Sequence, residues 1–400
     1  MKAGVDRGEA VSAAEPLMIS EGSSKRGELA DLALDLASRS TGLKRSLPPE
    51  LVTSLANLIR SMNCYYSNLI EGHDTHPVDI ERAMKDDYSA DPKKRDLQKE
   101  ARAHVTVQQW IDMDGLSGRA TTREGIEQLH RRFCELLPED LLWVDDPDTG
   151  EKAEIVPGEL RKRDVQVGRL IAVSPGSLPR FFERFEAVYA NPRLGRVDRI
   201  LSAACAHHRL LWLHPFLDGN GRVARFMSYS VLRDALDTGG IWSVARGLAR
   251  REAEYKSQLA ACDGPRRGDL DGRGNLSEGA LVDFAKFFLE VCIDQVAFME
   301  GLIQPDRLRD RINRWAKQEI EAKRLPTKAD AILQAVLYRG ELPRGEAENV
   351  LGTTDRQARR VTSALLDVGV LVSESQRAPL RLAFPAILAP EWMPGLFPEK

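Results

Sequence analysis

A mainly α protein, with one β-hairpin and a small separate unit at its C-terminal end, is the fold class that this sequence predicts. Three observations predict it. Apolar residues recur at helical spacing through most of residues 48–300. Within that stretch, a strand-like pattern is confined to residues 165–173. From Pro326 onward the long helices give way to three short helices and then two strand-like pieces.

Taken in order, residues 1–27 are rich in Gly, Ser, Ala and charge, and are expected to be disordered or loosely attached. Residues 28–138 form an N-terminal helical region. Pro48 and Pro49 open a helix in which Leu51, Leu55, Leu58, Ile59, Met62, Tyr65, Tyr66 and Leu69 share a face, and Gly72 stops it. A second helix covers 97–111. Thr121-x-x-Glu124 has the form of a capping box, starting a helix that runs to 137 before Pro138.

Residues 139–300 form the central region. Residues 146–150, Asp-Pro-Asp-Thr-Gly, are turn chemistry. Val165, Val167, Leu170, Ile171 and Val173 around Gly168 fit a hairpin. Helices follow at 178–189, 197–213, 223–236, 250–261 and 278–299. Residues 301–326 hold a connecting helix with alternating charges. Residues 327–400 read as helix (328–338), helix (344–351), helix (355–366), strand (370–372) and strand (380–384). That is the order of a winged helix-turn-helix, and the proline-rich last fifteen residues are expected to be irregular.

Composition narrows the class of protein. Hydrophobic residues make up 42% and charged residues 29% of 400, which suits a globular chain with a sizeable core. A net charge of -3 supplies no global field toward nucleic acid or membrane. Cys64, Cys134, Cys205, Cys262 and Cys292 are scattered and odd in number, which favours reduced thiols in the cytoplasm over a disulfide framework. No apolar run approaches a membrane span, and the N-terminus lacks the core of a secretory signal.

The chemistry concentrates in residues 214–225, His-Pro-Phe-Leu-Asp-Gly-Asn-Gly-Arg-Val-Ala-Arg. One helix ends before this loop and another opens within it. Gly219 and Gly221 let backbone N–H groups approach an anion closely, and the positive end of the new helix points to the same place. Arg222 and Arg225, three apart, share a helical face and can both hold phosphate oxygens. Asp218 is a hard oxygen donor suited to Mg²⁺. His214 is suited to proton transfer near neutral pH. A base, a metal ligand, an anion cradle and two cations in twelve residues make a kit for phosphoryl or nucleotidyl transfer. A Walker A loop is absent. A metal-hydrolase set of His208, His214 and Asp218 is the alternative; it uses none of the glycines or arginines.

The stretch matches the Fic motif, H-x-F-x-[DE]-G-N-G-R-x-x-R, at every defined position, and the helices over roughly 48–300 resemble the Fic core. The resemblance implies a protein adenylyltransferase, moving AMP from ATP to a Ser, Thr or Tyr hydroxyl. It gives His214 the role of base and Asp218 that of Mg²⁺ ligand. Gly219, Asn220 and Gly221 become the anion hole, Arg222 the β-phosphate grip and Arg225 the γ-phosphate grip; Phe216 is a core anchor. Ser67-Asn68-Leu69-Ile70-Glu71-Gly72 matches the family's inhibitory motif, [ST]-x-x-x-E-[GN], which would set Glu71 on Arg225. The hairpin falls where Fic proteins carry a target-docking flap, with Val165, Gln166 and Val167 as its edge. Tyr255 would border the adenine. The implied partners are ATP and a target protein. Self-modification, a homodimer, the reverse reaction and a DNA-binding regulator that senses nucleotide stay open. The C-terminal unit carries Arg356, Arg359 and Arg360 on its third helix, yet holds nine Lys+Arg and nine Asp+Glu, so protein docking is favoured over DNA.

Overall fold

The computed structural model describes residues 4–145 and 150–398. Five helices come first: α1 (Arg26–Arg45), α2 (Pro49–Ile70), α3 (Pro77–Ala83), α4 (Pro92–Asp112) and α5 (Arg123–Cys134). Two antiparallel ribbons follow, β1 (Trp143–Asp145) with β2 (Lys152–Glu154), and β3 (Gln166–Val167) with β4 (Leu170–Ile171). Then come α6 (Leu178–Tyr189), α7 (Arg196–Leu213), α8 (Asn220–Leu236), α9 (Val244–Arg250), α10 (Glu252–Cys262), α11 (Glu278–Ile303) and α12 (Pro305–Glu321). The last part holds α13 (Ala329–Arg339), β5 (Glu341–Leu342), α14 (Ala347–Leu351), α15 (Asp355–Asp367), β6 (Leu371–Val372), β7 (Leu380–Leu382) and α16 (Ala389–Trp392).

α7 and α8 lie at the centre, packed on each other through small and apolar side chains. Ala203, Ala204, Ala206, Val223, Ala224 and Met227 are all fully buried, which lets the two helices approach closely. α11 backs α7 with Phe284 and Phe288, and α2 packs on α4 and α9. In the C-terminal part the sheet order is β5-β7-β6, and β7 also packs on α2. No helix among the described residues is long and apolar enough to cross a membrane.

Several expectations need correction. Residues 4–25 are held tightly: Ala14, Leu17 and Ile19 are buried, the Pro16 carbonyl accepts from Arg209 Nε and Nη2 (3.1 and 2.8 Å), and Ser20 donates to Glu278. Three apolar anchors and distant polar partners do this, and average composition registers neither. The cap of α5 is Thr122, whose Oγ1 accepts from Gly125 N at 3.0 Å, one residue later than the box places it, and the helix ends at Cys134. The helix expected over 250–261 is α10, and a short helix that was not expected, α9, precedes it and meets it at Arg251. A second ribbon, β1–β2, has no counterpart among the expected elements; of the turn expected at 146–150, residues 146–149 lie outside the described residues. The tail is not irregular throughout: α16 forms, and Trp392, Met393 and Leu396 are buried.

Candidate active site

The helix α7 ends at His214, whose backbone adopts a left-handed turn (φ 47°) while its N–H still donates to the Leu210 carbonyl at 3.0 Å. A non-glycine residue in that region is strained, and such strain gathers at functional sites. The side chain is held by Nδ1, 3.3 Å from the Leu211 carbonyl. A carbonyl only accepts, so Nδ1 carries the proton and Nε2 is left as the basic nitrogen. Burial lowers the His214 pKa to about 4, so the imidazole is neutral at pH 7.

Gly219, at φ 80°, turns the chain into α8 as its N-cap, a conformation open to glycine at little cost. The first N–H groups of α8 lack partners within the helix and face the loop. Asn220 is fully buried: its Oδ1 accepts from Phe216 N at 3.0 Å and its Nδ2 donates to the Phe216 carbonyl at 2.9 Å. Its side chain therefore closes the loop on itself, and only its backbone is free to join an anion hole.

The two arginines are both buried and both engaged. Arg225 Nε donates to Ser67 Oγ at 2.8 Å, Nη2 donates to the Ser67 carbonyl at 3.2 Å, and Nη2 is ion-paired with Glu71 Oε1. Burial pushes the Glu71 carboxyl up, but the charges of Arg225 and Arg222 outweigh it and hold the group below its ordinary value. Glu71 also lies against Gly221: a methyl group there would collide with its Oε1. Arg222 is paired with Glu100 through Nη1 and with Asp218 Oδ2 through Nη2, the latter at 3.1 Å.

Asp218 is half exposed. Among the described residues no three His, Cys, Asp or Glu side chains group to hold a metal. One accessible carboxylate beside a phosphate-type cradle fits Mg²⁺, an ion that takes one or two carboxylates and completes its shell with phosphate and water. The hydrolase set does not assemble. His208 is buried and turned away, with Nε2 at 3.0 Å from Asp263 and Nδ1 at 2.6 Å from Arg209. Tyr255 is 2% exposed, and its hydroxyl lies 2.7 Å from His207 Nε2.

Three residues outside the motif complete the site, and the sequence reading missed them. Arg161, 3% exposed, donates from Nε to the His214 carbonyl (2.7 Å) and from Nη1 to the Arg163 carbonyl (2.9 Å), tying the motif loop to the base of β3. Burial lowers its pKa to about 10. His130 stacks on Phe216 with centroids 3.8 Å apart and planes 2° from parallel, and its Nδ1 accepts from Gly158 N at 2.9 Å. Glu100 is the third. All three are polar residues on otherwise ordinary segments, and no local pattern marks them. On the hairpin itself, Gln166 and Val167 are exposed and Val165 is half-buried, and among the described residues β3 pairs with β4 alone.

Residues 120–232 match the model of the Fic/DOC family. That segment resembles a Fic domain. It is 28% identical over 225 residues to protein adenylyltransferase Fic of Drosophila erecta, covering 54% of this chain and 42% of that protein. It is 29% identical over 171 residues to the protein of the same name in Drosophila mojavensis, covering 43% and 31%. The chain thus matches less than half the length of these curated relatives. A Fic family protein from Desulfovibrio desulfuricans G20 superposes with a TM-score of 0.52 at 16% identity, over 92% of this chain and 98% of that one, and shares the mainly helical fold. The Fic match spans α5 to α8, and so includes the motif loop; Ser67, Glu71 and Glu100 lie before it.

Proposed function

We propose that this Fic protein transfers the AMP part of ATP to a Ser, Thr or Tyr hydroxyl of a target protein, and that Glu71 keeps it at rest. One observation carries the reading: a buried arginine of a phosphate-type loop, Arg225, is neutralised by a carboxylate from another helix. A site built for protein charges alone has no use for the exposed Asp218 or the close glycine approach at Gly221. In the reaction, the target hydroxyl oxygen attacks the α-phosphorus of ATP. The bond from that phosphorus to the β-phosphate oxygen breaks, pyrophosphate leaves, and the hydroxyl proton passes to His214 Nε2. The base contributes about 10²–10⁴-fold, and fixed charge and positioning supply most of the rest. N–H groups of Gly219, Asn220 and Gly221 cradle the phosphates, with Arg222 on the β- and Arg225 on the γ-phosphate. Asp218 would hold Mg²⁺, which neutralises phosphate charge when bound. The free edge at Val165, Gln166 and Val167 takes the target chain as an added strand.

We read the C-terminal unit as a winged helix that docks protein, because it is neutral and Arg359 on α15 is already paired with Asp355 at 3.0 Å. The five buried free thiols suit a reducing cytoplasm. The test incubates purified chain, wild type and Glu71→Gly, with ATP labelled at the α- or the γ-position. Label entering protein from the α-position alone supports AMP transfer. Transfer from the γ-position, or no transfer by either folded protein to itself or to lysate proteins, sinks it.

A further inference from the structure

Glu100, on α4, is buried beneath the phosphate-type loop and has two partners. Oε1 takes Arg222 Nη1, and Oε2 is 2.9 Å from His73 Nδ1. His73 belongs to the segment that bears Glu71. The helix α2 closes there in a tight cap: Gly72 sits at φ 85°, its N–H donates to the Leu69 carbonyl at 3.0 Å, and His73 N–H donates to the Asn68 carbonyl at 2.9 Å. Those two bonds fix His73 relative to Glu71, so whatever restrains one restrains the other. The His73–Glu100 bond forms in either charge state, since Nδ1–H of neutral or protonated imidazole donates to a carboxylate.

A chain of contacts results. Glu71 holds Arg225; the cap carries the constraint to His73; His73 holds Glu100; Glu100 holds Arg222, whose other Nη reaches Asp218. Arg222 Nε is buried and has no hydrogen-bond partner among the described residues, so its two Nη contacts, with the Phe133 ring 5.0 Å from the guanidinium carbon, set the direction of the guanidinium.

We propose that Glu100 is a positioning residue that ties Arg222 to the Glu71 segment through His73, making the restraint on Arg225 and the alignment of Arg222 one latch. The proposal rests on the AMP-transfer reading for its consequence but not for its physical content. Release of the α2 cap then removes Glu71 from Arg225 and frees one Glu100 oxygen in the same movement.

The test combines hydrogen exchange of the full-length chain without nucleotide with auto-labelling by α-labelled ATP. His73→Ala is the first variant, because His73 is partly exposed and tolerates change. The backbone amides at positions 72 and 73 should exchange about tenfold faster, as local opening of that cap becomes easier. Auto-labelling should rise about three- to tenfold, and Glu71→Gly combined with His73→Ala should label no faster than Glu71→Gly alone, since contacts in one network are not additive. Glu100→Ala should loosen the same amides and raise KM for ATP, whereas Glu100→Gln, whose one amide oxygen can accept from only one of the two donors, should give exchange between that of wild type and Glu100→Ala. Exchange at 72–73 within about twofold of wild type in both His73→Ala and Glu100→Ala, with folding intact by circular dichroism, overturns the latch. Fast exchange together with no transfer in any variant leaves the latch standing and removes the AMP-transfer reading instead.

Discussion

Ser67 and Arg225 are joined twice, through Nε to Oγ at 2.8 Å and Nη2 to the backbone carbonyl at 3.2 Å, with both residues buried. The guanidinium is therefore already aimed at the last turn of α2 before Glu71 pairs with it. Glu71→Gly should remove the charge without disturbing Ser67. A hydrogen bond to a charged group is worth about 1.5–3 kcal/mol, so productive ATP binding and auto-labelling should rise about ten- to a hundredfold. Glu71→Gln should give a smaller rise, and the gain should vanish when Arg225→Ala is added. Equal labelling by folded Glu71→Gly and wild type at saturating ATP would end the autoinhibition reading.

His214→Ala should abolish transfer and leave ATP affinity by calorimetry nearly unchanged, because the proposed role of the ring is at the attacking hydroxyl rather than at the phosphates. The pH dependence follows from burial. The neutral imidazole is the active form, and with its pKa lowered to about 4 the base is lost only as pH falls toward that value. The labelling rate of Glu71→Gly should thus show no inflection near pH ~6.5, the ordinary histidine value. A clear half-titration there would mean that His214 is solvated during catalysis.

Asp218→Asn should raise the Mg²⁺ concentration needed for half-maximal labelling and slow transfer, since an amide is a poorer ligand for this ion. An identical Mg²⁺ titration in mutant and wild type would assign the metal elsewhere.

Arg161→Met keeps the length of the side chain and removes its donors. The carbonyls of His214, Arg163 and Val173 lose a buried partner. The cost should be at least about 2 kcal/mol, read as a lower Tm, because buried acceptors are left unsatisfied. Labelling of added target should fall more than ATP affinity, since the hairpin is no longer tied to the motif loop. A large loss of ATP affinity with normal target labelling at saturating ATP would contradict that role.

The C-terminal tail crosses α2. Tyr66 Oη donates to the Leu396 carbonyl at 3.0 Å, Phe397 meets Tyr65 edge-on at 5.7 Å, and Arg246 donates to the Gly395 carbonyl at 2.8 Å. Truncation after residue 325 should leave auto-labelling measurable, as every motif residue lies upstream. With α2 unbraced the rate should rise rather than fall. A truncated protein that is folded by circular dichroism but inactive would refute the modular reading.

The helices were legible in the sequence because 3.6-residue periodicity is local: residues 178–189 and the helix opened by Pro49 are where their apolar stripes put them. The motif at 214–225 was legible for a related reason, since a loop that cradles phosphate draws its glycines, carboxylate and arginines from neighbouring positions. The cap at Thr122 was misread by one residue because Thr121 and Thr122 offer the same chemistry, and the hydrogen bond to Gly125 chooses between them.

What only the tertiary structure decided is pairing across the chain. Sequence alone determined that Arg225 and Glu71 each carry the charge their motifs require. Their contact, 154 positions apart, was expected only through the resemblance to the inhibitory motif, and it is the fold that places the end of α2 beside Arg225. The same holds for Glu100 with Arg222, for Arg161 with the His214 carbonyl, and for Pro16 with Arg209. Each is a lone polar residue whose partner is set by packing, and a burial cost without a partner is what keeps the pair together once the chain has folded.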